Sequence, residues 1–458
     1  MALIAVHGDD SGHGLSGGLA APDPLTRTTT SIVHRPTPPH NGAPAPDGEP
    51  PDPPAVVFLI HDLSLGGAER VFVDLVNGIE APRPVPALVR AGGELVEALR
   101  PERVPRVLPG PGSAPAAGTG AAASPRPWGL SPAGGWSLWR KTRGLLELAR
   151  GEGAAAVSTF LHKSHVIGLC AKRLSRGRLR VVLNAHEHLT QSLLHQHRGA
   201  RRWFYREFAR RFFRHADLVI AVADGVASDL VERFGVPRER ITVCPNPVDG
   251  ERLRDLARRA PETWPALRPE AAVVLGVGRL VRLKGFDVLV RAVARLPGHL
   301  DVHLVLVGDG EEGPRLDELA ARLGIGDRVH RIGSTDNPWA AMARARLIAV
   351  PSRTEALPNV IGEAHALGIP VVGADCSPGM REAMEDGSAG ILVPPEDPEA
   401  LADALVRGLE DSGLRARLTA AGRRRVAALG PDAILSRYSA LLEAVLAGDR
   451  PGGAGPQP

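Results

Sequence analysis

The chain has 458 residues, 43% of them hydrophobic, with 55 Lys and Arg against 51 Asp and Glu. A formal net charge of only +4 does not argue for a nucleic-acid partner and none is expected, and the length leaves material for two or three cores. The three cysteines, Cys170, Cys244 and Cys376, are too far apart for a metal motif and odd in number for a disulfide framework, so a reduced, cytoplasmic setting is expected.

Residues 1–54 are rich in Pro, Gly, Thr and His without helical or strand period, and disorder is expected there. MALIAVHGDD lacks a basic region ahead of a long apolar stretch, so no signal peptide is read. No apolar run approaches the length of a membrane span. Order begins at the strand AVVFLIHDLS, followed by Gly66, Gly67 and the helix AERVFVDLVNGI, with Val71, Leu75 and Ile79 at four-residue spacing. Residues 108–135 form a second low-complexity stretch, expected to be a mobile loop, whose Trp128 and Trp136 read as linker or as recognition residues. Helices and strands then alternate: SLWRKTRGLLELARGEG, AAAVSTFL, SHVIGLCAKRL, RVVLNA, a basic aromatic helix over 197–217, DLVIAVA and ITVCPNPVD.

Residues 249–270 are polar and contain prolines, which suggests an interdomain linker. After it the pattern restarts with AAVVLGVG, DVLVRAVARL, DVHLVLVG, PRLDELAARLGI, RVHRIG, NPWAAMARA and RLIAVPS. The expected organisation is a first domain over 55–248 and a second over 271–430. A terminal helix over 431–447, able to cross back to the first domain, and a tail over 448–458 complete it. Strands alternating with helices imply two doubly wound, Rossmann-like α/β domains facing a central cleft, with ligands beyond the carboxyl ends of the strands.

PSRTEALPNVIGEAHALGIPVV, residues 351–372, places Glu355 in a loop and Glu363 on a short helix that begins near Pro358 and stops at Gly368. The two acids straddle the helix's amino-terminal amides, which suit a phosphate, and offer acceptors for sugar and ribose hydroxyls. GVGRLVRLKGFD, after the first strand of the second domain, supplies Arg279 and Lys284 as cations for a diphosphate.

These stretches resemble the retaining glycosyltransferases of family 4, which have the GT-B fold. The carriers are GGAER at 66–70, GRLVRLKG at 278–285, GDGEEGPRL at 308–316, EALPNVIGEAHALG at 355–368 and DCSPGMREAMEDGSAGILVPPED at 375–397. The resemblance implies that Glu363 holds the donor ribose and Glu355 lies at the donor sugar. The amides around Leu357, Pro358, Asn359 and Val360, with Arg279 and Lys284, would hold the diphosphate. Gly66 and Gly67 would approach it from the first domain, and Ile332 would seat the base through its backbone. The family also carries a histidine after a first-domain strand. VVLNAHEHL offers His186, favoured by strand length, or His188. Ala356 stands where the family usually has glycine.

GDGEEG at 308–313 formally matches a dinucleotide pattern, but Glu311 and Glu312 would repel pyrophosphate. HRGARRWFYREFARRFFRHAD reads either as a helix lying on an anionic membrane or as one packing its aromatics inward. The resulting expectation is a retaining transferase using a nucleotide-diphosphate sugar, UDP-linked, without cofactor or metal. Its acceptor would be a glycan, a lipid-linked glycan or a small molecule of cell-envelope biosynthesis. The protein would be cytoplasmic, with a peripheral contact at the inner face of the plasma membrane. An epimerase or phosphorylase of the same fold, or a non-catalytic sugar-nucleotide-binding subunit, are the rival readings.

Overall fold

The computed structural model describes residues 53–109, 132–196 and 199–449. The expected tail over 1–54 and residues 110–131 of the expected loop, Trp128 included, fall almost wholly outside them.

Seven parallel strands make the first sheet: β1 (Ala55–Ile60), β2 (Arg83–Leu88), β3 (Arg106–Val107), β4 (Ala156–Phe160), β5 (Arg180–Ala185), β6 (Leu218–Ala221) and β7 (Ile241–Val243). Their order is β3-β2-β1-β4-β5-β6-β7. The second sheet has six: β8 (Ala272–Val277), β9 (Val302–Val307), β10 (Val329–Arg331), β11 (Leu347–Val350), β12 (Val371–Ala374) and β13 (Ile391–Val393). They run β10-β9-β8-β11-β12-β13, again all parallel. Helices cover both faces, so β1, β4 and β11 are buried at every residue. That is why they read as unbroken apolar runs rather than alternating ones.

Each sheet reverses its direction of growth once, between β1 and β4 in the first and between β8 and β11 in the second. Loops leaving the carboxyl ends of such a strand pair diverge to opposite faces and open a crevice between them. The fold therefore offers two crevices, one per lobe.

Several elements differ from the sequence reading. The stretch 249–270 is not all linker, because Gly250–Ala257 is a helix whose cap, Asp249, accepts from the Arg252 amide at 3.0 Å. Strand β2 carries Pro84 and Pro86, a pattern that disguised it. Strand β3 pairs with it only at Ala87 and Leu88, so both prolines stand where β2 is an edge. Helix Ser412–Ala427 follows Pro398–Glu410 and packs on helix Asn359–Leu367. Helix Pro431–Ala447 lies on the first sheet, where Ile434, Tyr438, Leu442 and Val445 join the core of Phe58, Phe72 and Phe160. The Tyr438 hydroxyl is 3.0 Å from Ser158 Oγ and also bonds Asn184. Among the described residues no helix is long and apolar enough to cross a membrane.

Candidate active site

The crevice of the second sheet is built by two loops. After β8, Gly278 leads to Arg279, Lys284 and Gly285; after β11, Pro351 and Ser352 lead to Glu355. Gly285 has φ of +67°, and a side chain there would collide with the Pro351 carbonyl, so glycine is what allows the loops to meet. Arg353 ties them together. Its amide donates to Leu283 O at 2.8 Å, and its guanidinium bonds both oxygens of Asp287 at 2.8 and 3.0 Å and also reaches Glu396. Burial pushes the Asp287 carboxyl up, but the bonds from Arg353 and Arg291 outweigh it and hold the group below its usual range.

This frame presents Glu355. Its Oε1 accepts from Lys284 Nζ at 2.7 Å and from Ser352 Oγ at 2.7 Å. The Glu355 side chain is 12% exposed, so the pair sits in a site largely cleared of water, where a charge-assisted bond is strong. Helix Asn359–Leu367 follows, with Pro358 as its cap residue and no side chain capping its first amides. It ends at Gly368, in the left-handed region. Glu363, one helical turn in, is half-buried. Burial raises its carboxyl above the usual range, opposed by the charge of Arg70 and by the Trp339 indole N–H.

Glu363, Asn359, Trp339, Arg70, Asp74 and Asn246 line a cavity of about 410 Å³ to which both lobes contribute. Arg70 lies over the Trp339 ring at 5.0 Å, and Arg252 pairs with Asp74 at 3.3 Å. Asn359 is the hub of the contact: Asn246 Nδ2 donates to its Oδ1 at 2.7 Å, and its Nδ2 donates to Gly67 O at 3.3 Å.

Against known proteins, residues 65–252 match the glycosyltransferase family 4 and residues 264–425 match the glycosyl transferases group 1. The chain belongs to the family 4 glycosyltransferases. It is 38% identical over 232 residues to the lipopolysaccharide core biosynthesis glycosyltransferase LpsE of Rhizobium meliloti, covering 50% of this chain and 65% of that one. Over 250 residues it is 36% identical to the D-inositol 3-phosphate glycosyltransferase of Nocardia farcinica, covering 51% and 54%. The matches thus span between half and two thirds of these relatives' own lengths. Anabaena HepE in complex with UDP and glucose superposes with a TM-score of 0.68 at 23% identity, over 85% of this chain and 99% of that one. The fold is GT-B.

The remaining expected residues of this family 4 chain fall as follows. Arg279 is exposed on the second lobe, and its charge reaches Glu69 of the first. Gly67 opens helix Gly67–Gly78, and the Glu69 carboxylate folds back over Gly66. The Ile332 amide donates to Leu306 O at 3.0 Å. His186 stacks on Phe160 at 5.4 Å, and Asn246 is its hydrogen-bonding neighbour, which connects it to the Asn359 hub. Burial lowers its pKa to about 4. His188 instead lies 3.4 Å from Asp229, inside the first lobe. Of the two histidines, His186 is the one bonded to a residue that lines the cavity between the lobes, Asn246.

The dinucleotide-like GDGEEG has a packing role. A side chain at Gly308 or Gly310 would strike the backbone of Gly278 or Leu280, and Leu280 N donates to Asp309 O at 2.8 Å. The basic aromatic segment forms helix Gly199–Phe212 with Tyr205 buried and Phe204, Phe208 and Phe212 packed on the first core. Arg202, Arg206 and Arg210 face solvent, Trp203 is 61% exposed, and Arg201 is turned inward.

Sequence reasoning missed Arg353, Asn246 and Glu187. Glu187 follows His186 and is bonded by His162 at 3.2 Å and Ser192 at 2.6 Å. Burial would raise its carboxyl, yet these bonds hold it at about 2. No motif marks it, since His162 lies 25 positions away.

Proposed function

We propose that this chain moves a sugar from a nucleotide-diphosphate sugar, UDP-linked, to an acceptor hydroxyl with retention, in assembly of a cell-envelope glycan. The observation that carries the reading is the Glu355–Lys284 pair at the second sheet's crevice, with Glu363 one turn into the helix that follows Glu355. That Anabaena HepE holds UDP and glucose supports the donor class.

In this reading the donor diphosphate lies against the uncapped amides of helix Asn359–Leu367, Lys284 and Arg279. As the bond from the anomeric carbon to the diphosphate breaks, positive character grows on the sugar beside Glu355 and negative charge grows on the departing phosphate. Groups fixed before the reaction stabilise both without reorganising. Lys284 is so fixed by Glu355, and Glu355 by Lys284 and Ser352. The acceptor oxygen then bonds the carbon from the face the diphosphate leaves, and its proton passes to a diphosphate oxygen. Glu363 holds the ribose, and His186 lines the cleft near the sugar. Arg279 and Lys284 answer the diphosphate charge, so the step proceeds without a divalent metal or cofactor. The chain works in the cytoplasm, with Arg202, Arg206, Arg210 and Trp203 touching an anionic membrane face.

Incubation with a panel of UDP-hexoses and mixed glycan acceptors, followed by NMR of the product, tests this. UDP release with retained anomeric configuration, undiminished by chelator, is expected. An inverted linkage, a metal-dependent turnover, or a donor epimerised without acceptor would overturn it.

A further inference from the structure

The first sheet has its own crevice, between the ends of β1 and β4, where lysine and arginine side chains gather around a histidine, His61, whose pKa is lowered to about 4 by burial and by the Lys163 charge. His61 follows the last residue of β1, and Lys163 stands three positions past the end of β4. Lys163 Nζ is 3.3 Å from His61 Nε2. Arg90 stands two positions past the end of β2, and Lys141 donates from helix Pro132–Gly151 to the Val89 carbonyl beside it. Arg201 turns in from helix Gly199–Phe212, and its Nε is buried without a hydrogen-bond partner among the described residues.

Among the described residues, Asp62 is the acid paired with this group. Asp62 lies 3.1 Å from Arg90 and 3.9 Å from His61, and also accepts from Ser64 at 2.8 Å. The next acid, Glu187, is already bonded by His162 and Ser192. The chain contains four lysines in all, Lys141, Lys163, Lys172 and Lys284, and uses arginine for its exposed charge. Among the described residues Lys172 and Lys284 each pair with a carboxylate, and Lys141 and Lys163 do not. Lys141 is only 3% exposed. Two of four lysines, half-buried or fully buried and lacking an acid partner, are not there for solubility; buried charge demands a counter-charge.

Glu69 feels the charges of Asp62 and Glu187 on its own lobe and of Arg279 on the other, which puts all four around one opening. Burial and the neighbouring cations Arg201 and Arg90 lower the Lys163 pKa, as expected for a cluster short of negative charge.

We infer that the crevice formed by His61, Arg90, Lys163 and Arg201 binds a phosphoryl group carried by the acceptor, holding it so that a neighbouring hydroxyl points at the donor sugar. This rests on the glycosyltransferase reading above. The acceptor is thereby a phosphorylated sugar or polyol, or a glycan on a lipid diphosphate, rather than a neutral sugar.

The test is calorimetric titration of inorganic phosphate into the full chain saturated with UDP, which keeps phosphate out of the donor diphosphate site. Saturable binding is expected, weakened tenfold or more by Lys163→Gln. Arg90→Gln, at an exposed position, should weaken it by a smaller factor and covers the case in which the Lys163 variant does not fold. Absence of phosphate binding, or binding indifferent to both variants, overturns the inference. Failure of the wild-type chain to bind UDP at all would instead sink the donor reading beneath it. Competition then separates the sources: displacement by soluble sugar phosphates or by vesicles carrying a polyprenyl-diphosphate glycan supports the site and names its ligand. Equal displacement by the dephosphorylated sugars overturns it.

Discussion

The two lobes place a lysine at the same kind of position and treat it oppositely. Lys284, at the crevice between β8 and β11, is locked to Glu355 at 2.7 Å. Lys163, at the crevice between β1 and β4, has cations for neighbours and shares one acid with Arg90 and His61. A lysine already paired is a positioned charge, ready to answer a charge that develops during a reaction. A lysine without a carboxylate is a standing demand for an anion that arrives from outside. On the proposed reading, the same topology yields a site tuned for chemistry in one lobe and a site tuned for capture in the other.

Breaking the paired side should have the largest effect. Glu355→Gln keeps the shape and removes the charge that fixes Lys284. Turnover should fall by about 10²–10³, as for loss of one preorganised electrostatic contact, with a smaller change in donor affinity. Steady-state kinetics beside UDP-sugar calorimetry measures both, and a variant near wild-type speed would erase the contrast between the lobes.

Glu363→Ala acts on the ground state instead. It removes charge-assisted bonds worth about 1.5–3 kcal/mol each, so donor affinity should drop about tenfold or more while the Glu355–Lys284 pair stays intact. Unchanged affinity by calorimetry would withdraw the ribose role.

Acid should strain both lobes alike, because each buries a neutral histidine behind its crevice. His165 is 2.8 Å from Thr159 of β4, and His365 Nε2 is 2.9 Å from the Ala389 carbonyl. Burial lowers their pKa values to about 3 and about 4. The unfolded chain, with ordinary histidines near 6.5, binds more protons between that pH and 4, so stability falls as pH drops through that window. Each histidine should contribute about 1.4 kcal/mol per pH unit there. Melting temperatures that stay level from pH 7 to pH 4.5 would contradict this.

The smallest effect is expected at the outer face of the first lobe. Arg202, Arg206 and Arg210 should each add about 1 kcal/mol to binding of anionic vesicles, weakened by salt. Cosedimentation indifferent to their replacement by Gln would leave helix Gly199–Phe212 as packing alone and leave acceptor capture to the cationic crevice.

Much of this architecture was legible because doubly buried strands announce themselves as apolar runs, RVVLNA and RLIAVPS among them. Arg279, Glu355 and Lys284 were legible because they follow a strand end by two, five and seven positions, and Glu363 because it lies one turn into the next helix, with the motifs keeping all four in order. What escaped was held by distance in the chain rather than by spacing. His61 and Lys163 meet across 102 positions, and Asn246 meets Asn359 across 113. Arg353 sat in plain view beside Glu355, but its partner Asp287 is 66 positions upstream. The scarcity of lysine was the one signal in the composition that could have drawn the eye to Lys141 and Lys163.

Helix Pro431–Ala447 has a consequence for anyone who would take the molecule apart. Its Tyr438 and Leu442 complete the core beneath β1, although the chain reaches them only after finishing the second sheet. A gene cut near residue 260 therefore yields no intact half: the upstream fragment lacks its last helix, and the downstream fragment carries an apolar helix with nowhere to go. Chimeras that exchange first lobes between relatives must transplant two separate stretches together, and a reporter fused just after helix Pro431–Ala447 is attached to the first lobe.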